Sequence, residues 1–177
     1  ETPEHARRII LASPVLSPGK FRGICDDQYR DEAIGKDIAA HFPVHRIDLN
    51  YDPAQLDLKA AVLAICDDAE AAVRAGRVIL VLDDSQIAKG HLPVHALMAT
   101  GAVHHRLVQR GLRCDANIVV QTGTTRDPHH VASLIGFGAT AVYPYLAYQV
   151  IEDLIETGEL LGDPKVLFTN FRKGINK

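Results

Sequence analysis

The chain has little to hold it together by special chemistry. It contains no tryptophan, one methionine, ten tyrosines and phenylalanines, and three cysteines in 177 residues. Cys25, Cys66 and Cys114 are far apart and odd in number, which fits neither a disulfide framework nor a C-x-x-C metal or redox pair, and suits a reducing cytoplasm. No apolar run approaches the roughly 20 residues that cross a bilayer, and no charged-then-apolar leader opens the chain, so a soluble, cytoplasmic protein without a membrane partner is expected. Neither sign of charge dominates. With a net charge of −3 there is no basic stripe to neutralise phosphates along a nucleic acid.

What is present is a succession of β-to-α passages. RVILVLDDSQ, ANIVVQTGTTRDPHH and GATAVYPYLAYQ, between Arg77 and Tyr148, each carry an apolar run through turn residues into a helical pattern. Upstream, VHRIDLNY (Val44 to Tyr51) alternates apolar and polar positions as a strand does. Leu58 to Ala75 repeats apolar residues at helical spacing and is closed by Gly76. Pro93 suits the first turn of a helix running from Val94 to Arg110, and Asp127-Pro128 marks the start of another that ends at Gly136. Strands are expected at Arg77 to Leu82, Ile118 to Gln121 and Ala141 to Tyr143, and a further helix from Leu146 to Glu156.

The fold class is therefore α/β, with mostly parallel β-α repeats in a rudimentary or half TIM-barrel-like domain. Four units are half of an eight-stranded barrel, and such a half must stay open, gain extra strands or lean on another domain. One domain covers 1–177, with an irregular arm and weak helix over 1–43 and the β-α core over 44–177. Within the arm, SPVLSPGKFRGI is expected on the surface as an extended segment and turn, and Asp26 to Phe42 is weakly helical through Ile34 and Ile38. The first residue is Glu1, and FTNFRKGINK stops inside an amphipathic helical pattern, which reads as a piece of a larger protein.

Strand C-terminal ends are where this architecture places chemistry. Asp83 and Asp84 follow one strand, where a carboxylate pair could hold a divalent metal or share a proton. Yet adjacent residues in an extended segment point opposite ways, and Asp is a common loop starter. Thr122, Gly123, Thr124 and Thr125 precede the helix capped by Asp127, and backbone N–H groups there could cradle a phosphate. The spacing matches neither G-x-G-x-x-G nor the P-loop, and threonine and glycine serve equally well as turn residues. Of the nine histidines, His91 and His95 are separated by Pro93, while His104-His105 and His129-His130 are adjacent pairs whose members sit about 100° apart on a helix. Polar packing accounts for them better than a metal does. There is no G-x-S-x-G elbow, and only Lys89 among the lysines lies near a strand end. No catalytic, cofactor or metal residue is assigned.

From about Leu63 onward the chain resembles the central domain of the large subunit of glutamate synthase. The resemblance lies in AEAAVRAG followed by VILVLDDS, then LPVHALMATGAVHHRLVQRGLR, IVVQTGTTRDPHHVASLIGFGATAVYPYLAYQVIEDL and NFRKGINK, with ETPEHARRIILASPVLSPGKF at the start. Ile24 to Ala40 is the poorest match. In that family an N-terminal glutamine amidotransferase domain releases ammonia, which is added to 2-oxoglutarate at an FMN-binding barrel, and a β-helix follows. The resemblance implies a connecting domain, a relative of the FMN barrel without a cofactor of its own. Its partners would be the amidotransferase and FMN domains of the same polypeptide, and FMN and the iron–sulfur cluster would belong to the parent enzyme alone. Asp83, Asp84, Thr122, Gly123, Thr124, Thr125 and Asp127 are then candidates for interdomain or anion contacts. Two other readings stand beside this one: an independent half-barrel that binds a phosphorylated ligand or acts as a small enzyme, and a homo-oligomer joined through its open sheet edge or an apolar face.

Overall fold

A computed structural model describes residues 8–26, 38 and 40–176. Four parallel strands form the main sheet, β1 (Val44–Asp48), β3 (Ile79–Asp83), β5 (Asn117–Gln121) and β6 (Ala141–Tyr143), side by side in chain order. Helices α2 (Leu58–Arg74), α3 (Ala96–Gln109) and α4 (Pro128–Gly136) connect or follow them. Sequential parallel order with a helix after each strand is half of a barrel, as the sequence pattern indicates. Strands β3 and β5 read as continuous apolar runs because both faces are covered.

Each face has its own core. On one, Ile47, Leu80, Leu82, Ile118, Val120 and Val142 meet the apolar stripes of α2, α3 and α4. On the other, Ile79, Val81, Val119 and Ala141 meet Leu16, Phe21 and Cys25. The second set corrects the expectation for the N-terminal arm, which is neither superficial nor merely extended. Pro14 to Leu16 run along the edge of β6, where Val142 N–H donates to Pro14 O at 2.8 Å and Leu16 N–H donates to Val142 O at 2.9 Å. Then Ser17 accepts from Lys20 N–H, Pro18 fills the first turn, and α1 (Pro18–Cys25) lies across the face that a closed barrel would turn inward. The weak helical pattern over 26–42 falls largely outside the described residues.

Two further expectations are corrected. The strand read from Val44 to Tyr51 breaks at Leu49, because the Asp48 carboxylate accepts from both Asn50 N–H (2.9 Å) and Asn50 Nδ2 (2.7 Å) and turns the chain. Beyond the break, β2 (Asn50–Tyr51) pairs antiparallel with β4 (Leu92–Pro93). Pro93 is therefore in that ribbon and not in a first helical turn. Helix α3 begins at Ala96, where His95 Nδ1 accepts from Leu97 N–H at 3.2 Å.

After β6 come α5 (Tyr145–Glu156) and α6 (Pro164–Ile175), the latter capped by Asp163. Half of the ten aromatic residues tie this hairpin to the rest. Phe21 stacks on Tyr143 at 4.2 Å, Tyr143 on Tyr148 at 5.8 Å, and Phe168 and Phe171 meet Tyr148 edge-on at 5.0 and 5.5 Å. The Tyr148 hydroxyl donates to Leu16 O at 2.9 Å, so the buried phenol is satisfied, and burial raises its pKa. Arm, aromatic column and hairpin together cover the β6 edge that a half-barrel leaves open.

One polar clasp closes the far end of α3. Arg113 donates to Ala116 O (2.6 Å), Gly138 O (2.8 Å) and His104 Nδ1 (3.0 Å). Burial, and then the Arg113 charge, hold the His104 pKa below its ordinary 6.5. A lowered folded pKa means the unfolded chain binds the proton more readily, so the contribution of His104 is complete above about pH 6.5 and is lost on acidification. The melting temperature should fall between pH 7.5 and 5.5. His104→Asn, whose amide oxygen accepts from Arg113 without titrating, should flatten that fall. An unchanged slope in the variant would place the titration elsewhere.

Candidate functional site

In-register pairing brings Asp48, Asp83, Gln121 and Tyr143 to one level at the C-terminal ends of the four strands. Strand alternation sends Asp83 to the side of α1 and Asp84 to the helix-covered side. The two carboxylates thus serve different networks, and neither a shared proton nor a shared metal is available to them. Among the described residues no group of His, Cys, Asp and Glu is arranged to hold a metal ion.

The Asp83 network is a closed ring of hydrogen bonds across three strands. Arg46 Nη1 donates to Asp83 Oδ2 at 2.6 Å and to Gln121 Oε1 at 2.7 Å. Gln121 Nε2 donates to Ser85 Oγ at 3.0 Å, and Ser85 N–H returns to Asp83 Oδ1 at 2.9 Å. Asp83 is 1% exposed, and the guanidinium that neutralises it stands over the Phe21 ring at 5.7 Å. Beside the ring lies an open cavity of about 540 Å³, bounded by α1 on one side and by Arg46, Asp83 and Gln121 on the other. This is where a barrel enzyme holds its substrate. Here both Asp83 oxygens are occupied by internal donors.

The Asp84 network fills the loop singled out as an anion cradle. Asp84 Oδ2 accepts from the Thr122 hydroxyl at 2.5 Å and Oδ1 from Gly123 N–H at 3.0 Å, while Thr124 N–H donates to Thr122 Oγ1 at 3.1 Å. The N–H groups of 123 and 124 are spoken for, the first by the buried Asp84 carboxylate and the second by the Thr122 hydroxyl that Asp84 holds. A phosphate would face that like charge. Tyr145 packs on the same spot: a Cβ on Gly123 would lie 3.0 Å from its hydroxyl. Burial and the adjacent Asp84 carboxylate push the Tyr145 pKa up to about 12. Thr125 is buried, and Asp127 caps α4 by accepting from His130 N–H at 2.9 Å, which lowers its pKa.

Sequence reasoning missed Arg46, Ser85, Gln121 and Tyr145. Arg46 alternates with the core positions Ile47 and Leu49, so a long cation on the second face was legible, but its carboxylate was not. Of the histidines, His95, His129 and His130 line one cleft of about 250 Å³ with Thr124 and Thr125, and His104 is held by Arg113.

The model of the family described as "Glutamate synthase central domain" matches residues 1–177. Ferredoxin-dependent glutamate synthase 1 of Arabidopsis thaliana is 35% identical over 149 residues, covering 83% of this chain and 9% of that protein. The glutamate synthase [NADPH] large chain of Bacillus subtilis is 33% identical, over 88% of this chain and 9% of that one. Glutamate synthase [NADH] of Schizosaccharomyces pombe is 30% identical, over 96% and 8% respectively. The chain spans less than a tenth of the length of these relatives. A match along the whole sequence, together with a parallel half-barrel sheet, has one meaning: this chain belongs to the glutamate synthase central domain family.

Proposed function

We propose that this chain is the connecting element of a glutamate synthase, fixing the positions of the amidotransferase and FMN domains of the same polypeptide and taking no chemical step itself. The observation that carries this reading is the meeting of the N-terminal arm with the C-terminal end of α6. Ser13 Oγ donates to Asn176 Oδ1 at 3.1 Å, across 163 residues of sequence. The arm at Ser13 and the C-terminal end of α6 are therefore held side by side. Relatives named for ferredoxin, NADPH and NADH all align, so the role is one that does not depend on the electron donor.

The residues present do not fit the parent enzyme's cofactors. Cys25 and Cys66 are buried in the cores of opposite sheet faces and Cys114 is exposed, so no set of thiolates could converge on an iron–sulfur cluster. Where a flavin phosphate would seek N–H donors, Asp84 already takes that of Gly123 in the loop, and Asp127 that of His130 at the α4 N-terminus. No helix among the described residues is long and apolar enough to cross a membrane, and free cysteines favour a reducing compartment such as the cytoplasm. The strand-end loops containing Asp83, Asp84, Thr122 to Thr125 and Asp127 are the proposed contacts with neighbouring domains.

The purified chain should show no flavin absorbance, no glutaminase activity and no rise in melting temperature with millimolar phosphate or FMN. One flavin copurifying per chain would overturn the reading, as would a phosphate-dependent rise, since any ligand bound only to the native state raises stability.

A further inference from the structure

Helix α5 carries Leu146, Val150, Ile151, Leu154 and Ile155, yet only Tyr148 on it is buried. It packs mainly against α6 instead of lying on the sheet. Leu146 is 37% and Val150 48% exposed, and with Phe171 of α6 they line a groove of about 480 Å³ that runs up to Gly123 and Arg126 at the strand C-terminal ends. Single exposed aliphatic residues are ordinary on protein surfaces, whereas several converging on one concave strip mark an interaction site.

We infer that this groove is the seat of apolar side chains from another domain of the same long polypeptide, an inference that rests on the connecting role proposed above. The relatives are polypeptides of which this segment is 8–9%, so in them the rest of the protein is tethered to it. The tether emerges close by. Phe171 lies little more than one helical turn before Asn176, so polypeptide attached after α6 leaves close to the groove. A tethered neighbour meets the groove at an effective concentration on the order of millimolar, far above that of a second copy in dilute solution. The charged residue lining the groove is Arg126, which calls for an acidic residue beside the apolar contact on the incoming surface.

The test is a photo-crosslinking residue, p-benzoylphenylalanine, placed at Val150 in the full native polypeptide that carries this segment. Crosslinks should map to peptides outside residues 1–177 of the same molecule, with a yield unchanged on about ten-fold dilution, as an intramolecular contact requires. Crosslinks to a second copy that fade on dilution, crosslinks confined to residues 1–177, or none, would overturn the assignment while leaving the connecting role intact. A native polypeptide no longer than this chain would overturn both. Leu146→Glu/Val150→Glu should leave the melting temperature of the 177-residue chain within about 2 °C of the parent, because both side chains are already exposed there. In the full polypeptide the same pair should speed tryptic cleavage by about ten-fold.

Discussion

Arg46→Met should destabilise the fold by about 2–3 kcal/mol, seen in this 177-residue chain as a fall in melting temperature of roughly 4–10 °C. The side chain removed is itself more than a third exposed, so little buried surface goes with it. The cost lies in what remains. Asp83 is 1% exposed, and without Arg46 it keeps only the Ser85 N–H as a donor. A carboxylate in that position is an unpaired buried charge, which is more damaging than loss of the pair as a whole. The double variant Arg46→Met/Asp83→Asn should therefore recover part of the stability lost in the single one, because the amide carries no charge and can still accept from Ser85. Gln121→Ala should cost less than Arg46→Met, roughly 1 kcal/mol, since it leaves the Arg46–Asp83 ion pair in place and vacates a half-buried position that water can reach. If Arg46→Met melts with the parent, the ring across β1, β3 and β5 contributes nothing, and the cavity beside it must be understood some other way.

That ring shows where sequence reading ends. Strands β3, β5 and β6 announce themselves because the sheet is covered on both faces, which forces ILVLD, NIVVQ and AVY to be almost wholly apolar. Helix α4 announces itself through Asp127 at its start, and α2 through the apolar spacing of Leu58, Val62, Ile65, Ala69 and Val73 and the Gly76 that closes it. Even the opposite pointing of Asp83 and Asp84 follows from strand alternation alone. The identity of Asp83's partner does not, because it depends on the register that sets Arg46 and Gln121 beside a residue 37 and 38 positions away.

The N-terminal arm is a different kind of miss. Ser17-Pro18 is the same capping signature as Asp127-Pro128, and the Ser17 hydroxyl does accept from Lys20 N–H. But α1 spans only Pro18–Cys25 and buries only Phe21 and Cys25, too few positions for a helical period to show. Its burial is dictated by the second face of a sheet assembled from residues 44–143. The β2–β4 ribbon, two residues on each side, is likewise set by what surrounds it.

The other large effect is expected at Gly138→Ala, at about 3 kcal/mol or more. Gly138 sits at φ +113, a backbone region that any Cβ disfavours, and strain of that sort costs about 1–3 kcal/mol by itself. Space is the second problem. A Cβ there would overlap His104 Nδ1 and lie 2.6 Å from its Cγ, so the imidazole must leave. When it leaves, it gives up the hydrogen bond from Arg113 Nε, and Arg113 also holds Gly138 O and Ala116 O, so three attachments between α3, the turn after it and the β6 approach loosen together. The two contributions separate by a double variant. Adding His104→Ala to Gly138→Ala removes the clash but not the backbone strain, so the pair should be more stable than the sum of the two single losses predicts, with a residual cost set by φ. Strict additivity in urea or thermal unfolding would mean that the histidine ring never opposed the methyl group, and that the conformation of residue 138 alone makes glycine necessary there.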